Sequence, residues 1–376
     1  MSDLDYIISV LKGELPCGYI TDWYWALGFL QTNRVEVLFL DKCNSLGIEL
    51  PYDVEKLLNN KKRLNQHRYR IFDKYIAEIG QAFEKSEIKY AFIKGAVLSH
   101  ALLEQKTANM SHFHYLSPHG EPSKIVQVYA TGQRISNDID ILLDASCLSM
   151  ADKILRSMGF DQGYWDEKQN VFCKLPRAEI IKRRMTRGET APYILAIDDP
   201  YIRFIEVDIN LSLDELPGNS PILSKMLDNT KLYQARTPGR YIRGLSQEHM
   251  LIQLILHQKK EMGVYWMLKR NKGDLLYKYM DIYKILNFNT YNALKFYYEV
   301  KNLELCDEAC MVIEAVHDIF GSTCSIEAGL LLAENPNIKP VIITDYDTKK
   351  TYINTVPIKK RLSKRITVEG LVPHNG

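Results

Sequence analysis

Two aspartates inside an apolar segment constrain the fold of this chain more than any other feature. Asp138 and Asp140 lie in RISNDIDILLD (134–144), where isoleucine and leucine flank them. The segment predicts a buried β-strand over 134–144, and on a strand the residues i and i+2 project from the same face. Two carboxylates on one face of a buried strand repel each other unless a cation lies between them. Magnesium is the ion we expect, because it prefers oxygen ligands and keeps water and phosphate in its shell.

A third carboxylate lies in a second segment that predicts a strand, YIRFIEVDINLSL (201–213). Asp208 shares its predicted face with Glu206 and Asn210, and a polar face in the middle of an apolar strand is unusual. If this strand pairs beside the first, three carboxylates converge, which suits a site for two magnesium ions. Asp208 would then help to deprotonate an acceptor hydroxyl. Taken alone, Asp208 is also consistent with a hydrogen-bonded buried residue, and the Asp138–Asp140 pair with a surface pair.

A glycine stands where a predicted strand meets a predicted helix. IKYAFIKG (88–95) predicts a strand that ends at Gly95, and AVLSHALLEQ (96–105) predicts a helix. A glycine at such a junction lets a phosphate approach the backbone, and the free N–H groups of the helix start bind the anion. Lys94 either adds a charge there or merely flanks the turn. Arg134 is a second candidate for the phosphates, because its guanidinium matches their oxygens.

Composition and charge narrow the classes of protein that remain. Hydrophobic residues make up 46% and charged residues 25% of the 376 residues, which is typical of a folded globular chain. The net charge is only +2, so a long nucleic acid is not the expected partner. The seven cysteines are scattered and form no Cys-x-x-Cys pair, which does not suggest a disulfide framework. The first residues lack the pattern of a signal peptide, and no apolar run reaches about 18 residues. We therefore expect a cytoplasmic protein without a membrane segment.

The periodicity of apolar residues changes along the chain and predicts four regions. The segment 104–133 is polar and contains three histidines; we favour a loop or hairpin insertion there over a zinc site. The basic residues 182–184 either contact phosphates or an acceptor, or form a solvated face, and the basic cluster at 359–365 is expected on the surface. The predicted regions are a helical domain (1–86), a core (87–245) with the insertion 104–133, a second helical domain (246–334) and a strand-like tail (335–376).

The order of IKGAVL, VYATGQRISNDIDILL and IEVDINLSL resembles a known family. These segments look like those of the bacterial uncharacterised nucleotidyltransferases, within the DNA polymerase β-like nucleotidyltransferase superfamily. The resemblance implies an α+β fold, with a polymerase β-like mixed sheet flanked by N- and C-terminal helical regions. It also implies that a nucleoside monophosphate is transferred from an NTP with Mg²⁺. Two departures are Ala96, where many members have serine, and a longer gap between Gly95 and Asp138.

Eight residues have expected roles, and four of them, Gly95, Asp138, Asp140 and Asp208, are carried over from the resemblance. Asp138, Asp140 and Asp208 are the expected metal ligands and catalytic carboxylates, and the expected nucleotide-binding residues are Lys94, Gly95, Ala96, Arg134 and Ser136. The acceptor would be a small molecule, a peptide or a protein, in specialised metabolite biosynthesis. The alternatives are a non-catalytic nucleotide-binding module and a toxin-like transferase that modifies protein or RNA. The sequence leaves the acceptor, the preferred NTP and the oligomeric state open.

Overall fold

A computed structural model describes most of the chain in two compact units. The described residues are 1–105, 124–187, 189–213, 221–287, 292–321, 326–336, 338–364, 368 and 370–374. The first unit comprises Met1–Lys62, Glu104–Val126 and Leu251–Gly376, and the second comprises Arg63–Leu103 and Gln127–Met250. The division into four domains at residues 86, 245 and 334 stays a prediction.

The N-terminal segment is helical, as its periodicity predicts. Helix α1 begins with a capping box, in which Ser2 Oγ accepts a hydrogen bond from the backbone of Asp5. It ends at Gly13, whose φ of 85° only glycine adopts without strain. The four helices are α1 (Asp3–Lys12), α2 (Trp23–Thr32), α3 (Glu36–Leu46) and α4 (Tyr52–Lys85).

The middle of the chain alternates strands with short helices. Its elements are β1 (Tyr90–Phe92), α5 (Gly95–Leu98), β2 (Leu103–Gln105), β3 (Lys124–Val126), β4 (Ile139–Leu143), α6 (Leu148–Ser157), β5 (Asp161–Asp166), β6 (Val171–Lys174), α7 (Arg177–Arg187), β7 (Tyr193–Ala196), β8 (Phe204–Asn210), α8 (Pro221–Asp228), β9 (Thr230–Gln234) and β10 (Tyr241–Leu245).

Eight of these strands form one mixed sheet within the second unit, in the order β6-β5-β7-β8-β4-β1-β10-β9. Strand β4 lies at its centre, parallel to β8 and antiparallel to β1. All five residues of β4 are buried, whereas burial alternates along β8. The sheet therefore has a covered centre, and one face of β8 carries polar side chains.

The C-terminal segment adds helices and a small sheet to the first unit. Strands β11, β12 and β13 form an antiparallel sheet in that order. None of the described helices is long and apolar enough to cross a membrane. The elements are α9 (Gln247–Met262), α10 (Tyr265–Lys269), α11 (Leu276–Asn287), α12 (Ala293–Asn302), α13 (Cys306–Phe320), α14 (Ile326–Glu334), β11 (Ile342–Thr344), β12 (Thr351–Asn354), α15 (Ile358–Lys364) and β13 (Leu371–Pro373).

The helix predicted over 96–105 is wrong beyond its first turn. Only Gly95–Leu98 is helical. The Ser99 hydroxyl then donates to the carbonyl oxygen of Arg134 at 2.8 Å, and the backbone N–H of Leu102 donates to the carbonyl oxygen of Gln234 at 2.9 Å. Pairing with a distant segment thus overrides the local helical periodicity.

Two further predictions need correction. The strand predicted over 134–144 begins only at Ile139, because the carbonyl groups of Ser136 and Asn137 accept hydrogen bonds from a side chain instead of a neighbouring strand. The basic tail cluster is not all surface: Arg361, on α15, is buried and pairs with Asp274 at 3.0 Å.

The predicted insertion is described only at its two ends. Strands β2 and β3 pair there as a two-stranded sheet. The three histidines of the segment, His112, His114 and His119, lie outside the described residues.

Candidate active site

Three aspartates converge at the centre of the large sheet. Asp140 on β4 and Asp208 on β8 are paired in register on adjacent parallel strands. Asp138 lies in a bend immediately before β4. Carboxylate oxygens of all three residues lie within 4.8 Å of one another. The structure therefore brings together the three carboxylates that the sequence singled out.

The alternation of side chains along β8 produces this convergence. Ile205, Val207 and Ile209 are fully buried on one face. The opposite face carries Glu206, Asp208 and Asn210, all half-buried. Residues that are paired in register on neighbouring strands project to the same side of the sheet. The polar face of β8 therefore lies on the same side as Asp140, which is only 4% exposed.

Burial makes the negative charge of this cluster costly. Burial, together with the charge of Asp138, raises the pKa of Asp140 to about 6 against the opposing effect of Lys94. Burial and the neighbouring carboxylates also raise the pKa of Asp208 well above its usual value and that of Glu206 to about 7. Carboxylates in this state bind either protons or cations. Three hard oxygen donors this close together fit a divalent ion such as magnesium.

Lys94 places a positive charge directly on the cluster. Its Nζ donates to Oδ1 of Asp140 at 2.7 Å, and its side chain is only 18% exposed. Burial alone would lower the pKa of Lys94, but the charges of Asp140 and Asp138 outweigh it and raise that pKa. The backbone of Lys94 has φ 51° and ψ −128°, a region that glycine adopts far more readily than lysine.

Gly95 is packed against the residues that precede Asp138. A Cβ atom at Gly95 would lie 2.9 Å from both Cβ and Oγ of Ser136 and 3.7 Å from Nη1 of Arg134. Ser136 in turn donates from Oγ to Oδ1 of Asp138 at 2.8 Å. The missing side chain at Gly95 thus allows the turn after β1 to approach the segment that carries the first aspartate.

The other predicted nucleotide-binding residues are buried. Arg134 is 6% exposed, and its guanidinium donates to the carbonyl oxygen of Ile135. Ala96 is 3% exposed and packs in the core with Val97 and Leu98. Lys94, Gly95, Arg134 and Ser136 therefore lie together beside the aspartates, whereas Ala96 contributes its side chain to the core.

Sequence reasoning missed Arg68, which lies on α4 about seventy residues before the aspartates. Its Nε donates to the carbonyl oxygen of Ser136 at 3.1 Å, and its Nη2 to that of Asn137 at 3.3 Å. These bonds fix the backbone immediately before Asp138. No local pattern in the sequence marks Arg68, because its role depends on the packing of α4 against a distant loop.

Two more residues belong to the neighbourhood of the cluster. The amide nitrogen of Asn210 lies 3.5 Å from Oδ1 of Asp140, a contact that its predicted place on the face of Asp208 could have indicated. Glu189 pairs through its backbone with Asn210. The basic residues 182–184 lie on α7, five to seven residues before Glu189 in the chain.

The three clustered carboxylates could hold a divalent ion, and ions held in this way serve phosphoryl transfer in many enzymes. The family model described as "Uncharacterised nucleotidyltransferase" matches residues 127–321, slightly more than half of the chain, and the protein belongs to this family. The matched region contains all three aspartates. No curated protein and no solved structure matches the chain at a significant level.

Proposed function

We propose that the protein is a magnesium-dependent nucleotidyltransferase that transfers a nucleoside monophosphate from an NTP to an acceptor hydroxyl. The observation that carries the proposal is the convergence of Asp138, Asp140 and Asp208 on adjacent strands, with carboxylate oxygens within 4.8 Å. The family membership supports the same reaction class. The polymerase β-like form of the core, the use of two ions and a cytoplasmic location are parts of this proposal.

Different residues of the chain bind the metal, accept the proton and contact the phosphates. Asp138, Asp140 and Asp208 would hold the magnesium, which when bound neutralises phosphate charge and favours the ionised acceptor oxygen. Asp208 accepts the proton of the acceptor hydroxyl. The acceptor oxygen forms a bond to the α-phosphorus as the bond to the bridging oxygen breaks, and pyrophosphate leaves. Lys94 and Arg134 supply positive charge toward the phosphates, and Gly95 and Ser136 shape the turn beside them.

The proposal includes several classes of acceptor. A small molecule, a peptide or a protein fits the near-neutral net charge of +2, and specialised metabolite biosynthesis is the setting that we favour. A nucleotide-binding module without turnover and a toxin-like transferase that modifies protein or RNA are separate outcomes of the experiment below.

The test is transfer of labelled phosphate. Purified protein is incubated with each [α-³²P]NTP and Mg²⁺, alone and with metabolite, protein and RNA pools, and pyrophosphate release and labelled products are measured. Asp140→Asn and Asp208→Asn should reduce release by about a thousandfold or more. Asp144→Asn is the matched control, because Asp144 follows the far end of β4 and caps the next turn.

The outcomes separate the alternatives. Pyrophosphate release that is equal in the parent protein, in Asp138→Ala and in Asp140→Ala would sink the proposed active site. Binding of NTP without release would identify a binding module. Label on protein or RNA would identify the toxin-like activity, and label on a small molecule the biosynthetic one.

A further inference from the structure

A cationic side chain of the protein itself lies against the acidic cluster. The ammonium of Lys94 contacts Oδ1 of Asp140 at 2.7 Å, and both side chains are largely buried. Asp138 and Asp208 also act electrostatically on this ammonium. The lysine therefore offsets part of the negative charge that the three aspartates bring together.

The backbone fixes where this lysine begins. Its φ of 51° costs free energy for any residue that has a Cβ atom. The surrounding hydrogen bonds hold it: the carbonyl oxygen of Lys94 accepts from the N–H groups of Val97 and Leu98, and the N–H of Ile93 donates to the carbonyl oxygen of Asp140 at 3.1 Å. The base of the side chain is thus anchored beside Asp140, and only the flexible stem is left to relocate the ammonium.

An ammonium and a divalent ion compete for the same carboxylate. A magnesium ion binds a carboxylate oxygen at about 2.1 Å, whereas the Lys94 nitrogen already lies 2.7 Å from Oδ1 of Asp140. Both cations on one carboxylate would place like charges within a few ångströms of each other in a buried site, where screening by water is weak. A divalent ion at Asp140 therefore disfavours the contact of the lysine with this carboxylate.

A nucleotide would offer the displaced lysine a new partner. The turn that carries Lys94 continues directly into Gly95, which packs beside Ser136 and Arg134. The phosphates of an NTP carry the negative charge that an ammonium released from Asp140 requires.

We propose that Lys94 is an internal counter-cation that exchanges Asp140 for the phosphates of the incoming nucleotide, so that metal and nucleotide load together. Free divalent ions must displace Lys94 without compensation and bind weakly, whereas the metal–nucleotide complex provides that compensation. The coupling is reciprocal, because each ligand raises the affinity for the other by the same factor. This inference rests on the proposed function and adds to it the coupled binding of metal and nucleotide.

The exchange is tested by measuring Mn²⁺ binding with electron paramagnetic resonance, without any turnover. The parent protein, Lys94→Met and Lys94→Gly are titrated with Mn²⁺ at about pH 8, where protons compete less for the carboxylates than at lower pH. Each titration is repeated with an NTP analogue that has a methylene group between the α- and β-phosphorus. Lys94→Gly suits the positive φ, so it provides a folded variant if Lys94→Met does not fold.

The expected result has two parts. Without nucleotide, both variants bind Mn²⁺ about tenfold or more tightly than the parent protein, because no ammonium competes. The analogue strengthens Mn²⁺ binding in the parent protein by a similar factor, and this gain disappears in the variants. Lys89→Met is the control, because Lys89 pairs with Asp228 at 2.5 Å in an exposed bridge, and its loss should leave both titrations unchanged.

Other results overturn the exchange. Mn²⁺ affinity that is unchanged or lower in both variants would show that Lys94 does not compete with the ion. An equal gain from the analogue in the parent protein and in the variants would show that the lysine does not couple the two ligands. A further Asp208→Asn substitution in Lys94→Met must remove the added affinity; if the affinity persists, the ion binds elsewhere and the inference fails. Failure of the proposed function is a separate result, namely tight Mn²⁺ binding in the variants with no transfer to any acceptor in the parent protein.

Discussion

Asp140 and Asp208 are paired in register on parallel strands, and among the residues that the structure describes a lysine contacts the carboxylate of Asp140 but not that of Asp208. The two aspartates therefore have different electrostatic environments. Removal of the charge of Asp208 relieves repulsion within the cluster, whereas removal of the charge of Asp140 leaves Lys94 buried without its partner.

We accordingly predict opposite effects of the two amide substitutions on stability. Asp208→Asn should raise the free energy of unfolding by about 1 kcal/mol in buffer with a chelator, as substitutions that relieve strained active sites do. Asp140→Asn should lower it, because an unpaired buried ammonium is costly. Urea denaturation of both variants checks this prediction. A destabilised Asp208→Asn would show that the repulsion is already relieved in the parent protein.

The raised pKa values predict how stability depends on pH. Burial raises the pKa of Glu206 from 4.5 to about 7 and that of Asp140 from 3.8 to about 6. Each group therefore binds a proton more tightly in the folded than in the unfolded protein, so stability rises as the pH falls from about 7 toward 4.5 and is lost as the pH rises again.

Melting temperatures measured with a chelator from about pH 8 to about pH 5 test this dependence. Glu206→Gln should flatten the upper part of the curve, and Glu78→Gln, at an exposed site on α4, should not. An unaltered curve in Glu206→Gln would contradict the assignment. Addition of Mg²⁺ should raise the melting temperature most at the alkaline end, where protons compete least.

Arg68 is predicted to position Asp138 through the backbone. Arg68→Met removes the two bonds to the carbonyl oxygens of Ser136 and Asn137, and it should weaken Mn²⁺ binding by about tenfold, as the loss of a supporting residue behind metal ligands does. Arg70→Met, at an exposed position on the same helix, is the control. Equal affinity in both variants would assign Arg68 a purely structural role.

Gly95 is predicted to be required for space. In Gly95→Ala the new Cβ atom would meet Ser136 at 2.9 Å, which costs about 1–3 kcal/mol or displaces the hydroxyl that contacts Asp138. The double variant with Ser136→Gly should recover part of the lost stability, which chemical denaturation measures. Gly329→Ala, where a Cβ meets nothing within 4 Å, should be neutral or stabilising. The absence of any rescue would contradict the steric explanation.

The ion pair of Arg361 is predicted to hold the tail to the helices of the first unit. Arg361 and Asp274 are both buried, and Asp274 also accepts from the hydroxyl of Tyr279. Arg361→Met should therefore destabilise the protein by about 3–5 kcal/mol, because it leaves a buried carboxylate without its cation. Lys359→Met, which breaks an exposed pair with Asp5, should cost about 1 kcal/mol or less. Similar losses in the two variants would contradict the buried role.

The strands and the aspartates could be predicted from sequence because their signals are local. Alternation of apolar and polar residues around Asp208 predicts a strand with one buried face, and burial alternates along β8 in the structure. The resemblance to the nucleotidyltransferase family is confirmed by the family match. The pairing of β4 with β8 stayed conditional, since periodicity along one strand says nothing about which strand lies beside it.

Features that depend on tertiary contacts were not predictable. The short helix α5 ends because Ser99 and Leu102 find partners far away in the chain. The buried Arg361 lies in a basic stretch whose composition is typical of a surface. Lys94 was predicted beside phosphates; its contact with Asp140 and its positive φ are tertiary features that no sequence pattern indicates.

The central place of β4 also has a consequence for synthesis and for engineering. Its two neighbours in the sheet come from opposite sides along the chain, β1 before it and β8 after it. A nascent chain that ends before residue 204 therefore carries two of the three aspartates and lacks the third. A break in the exposed turn at 167–170 would divide the same residues between two fragments. The cluster of three aspartates is therefore complete only when both halves of the sheet are present.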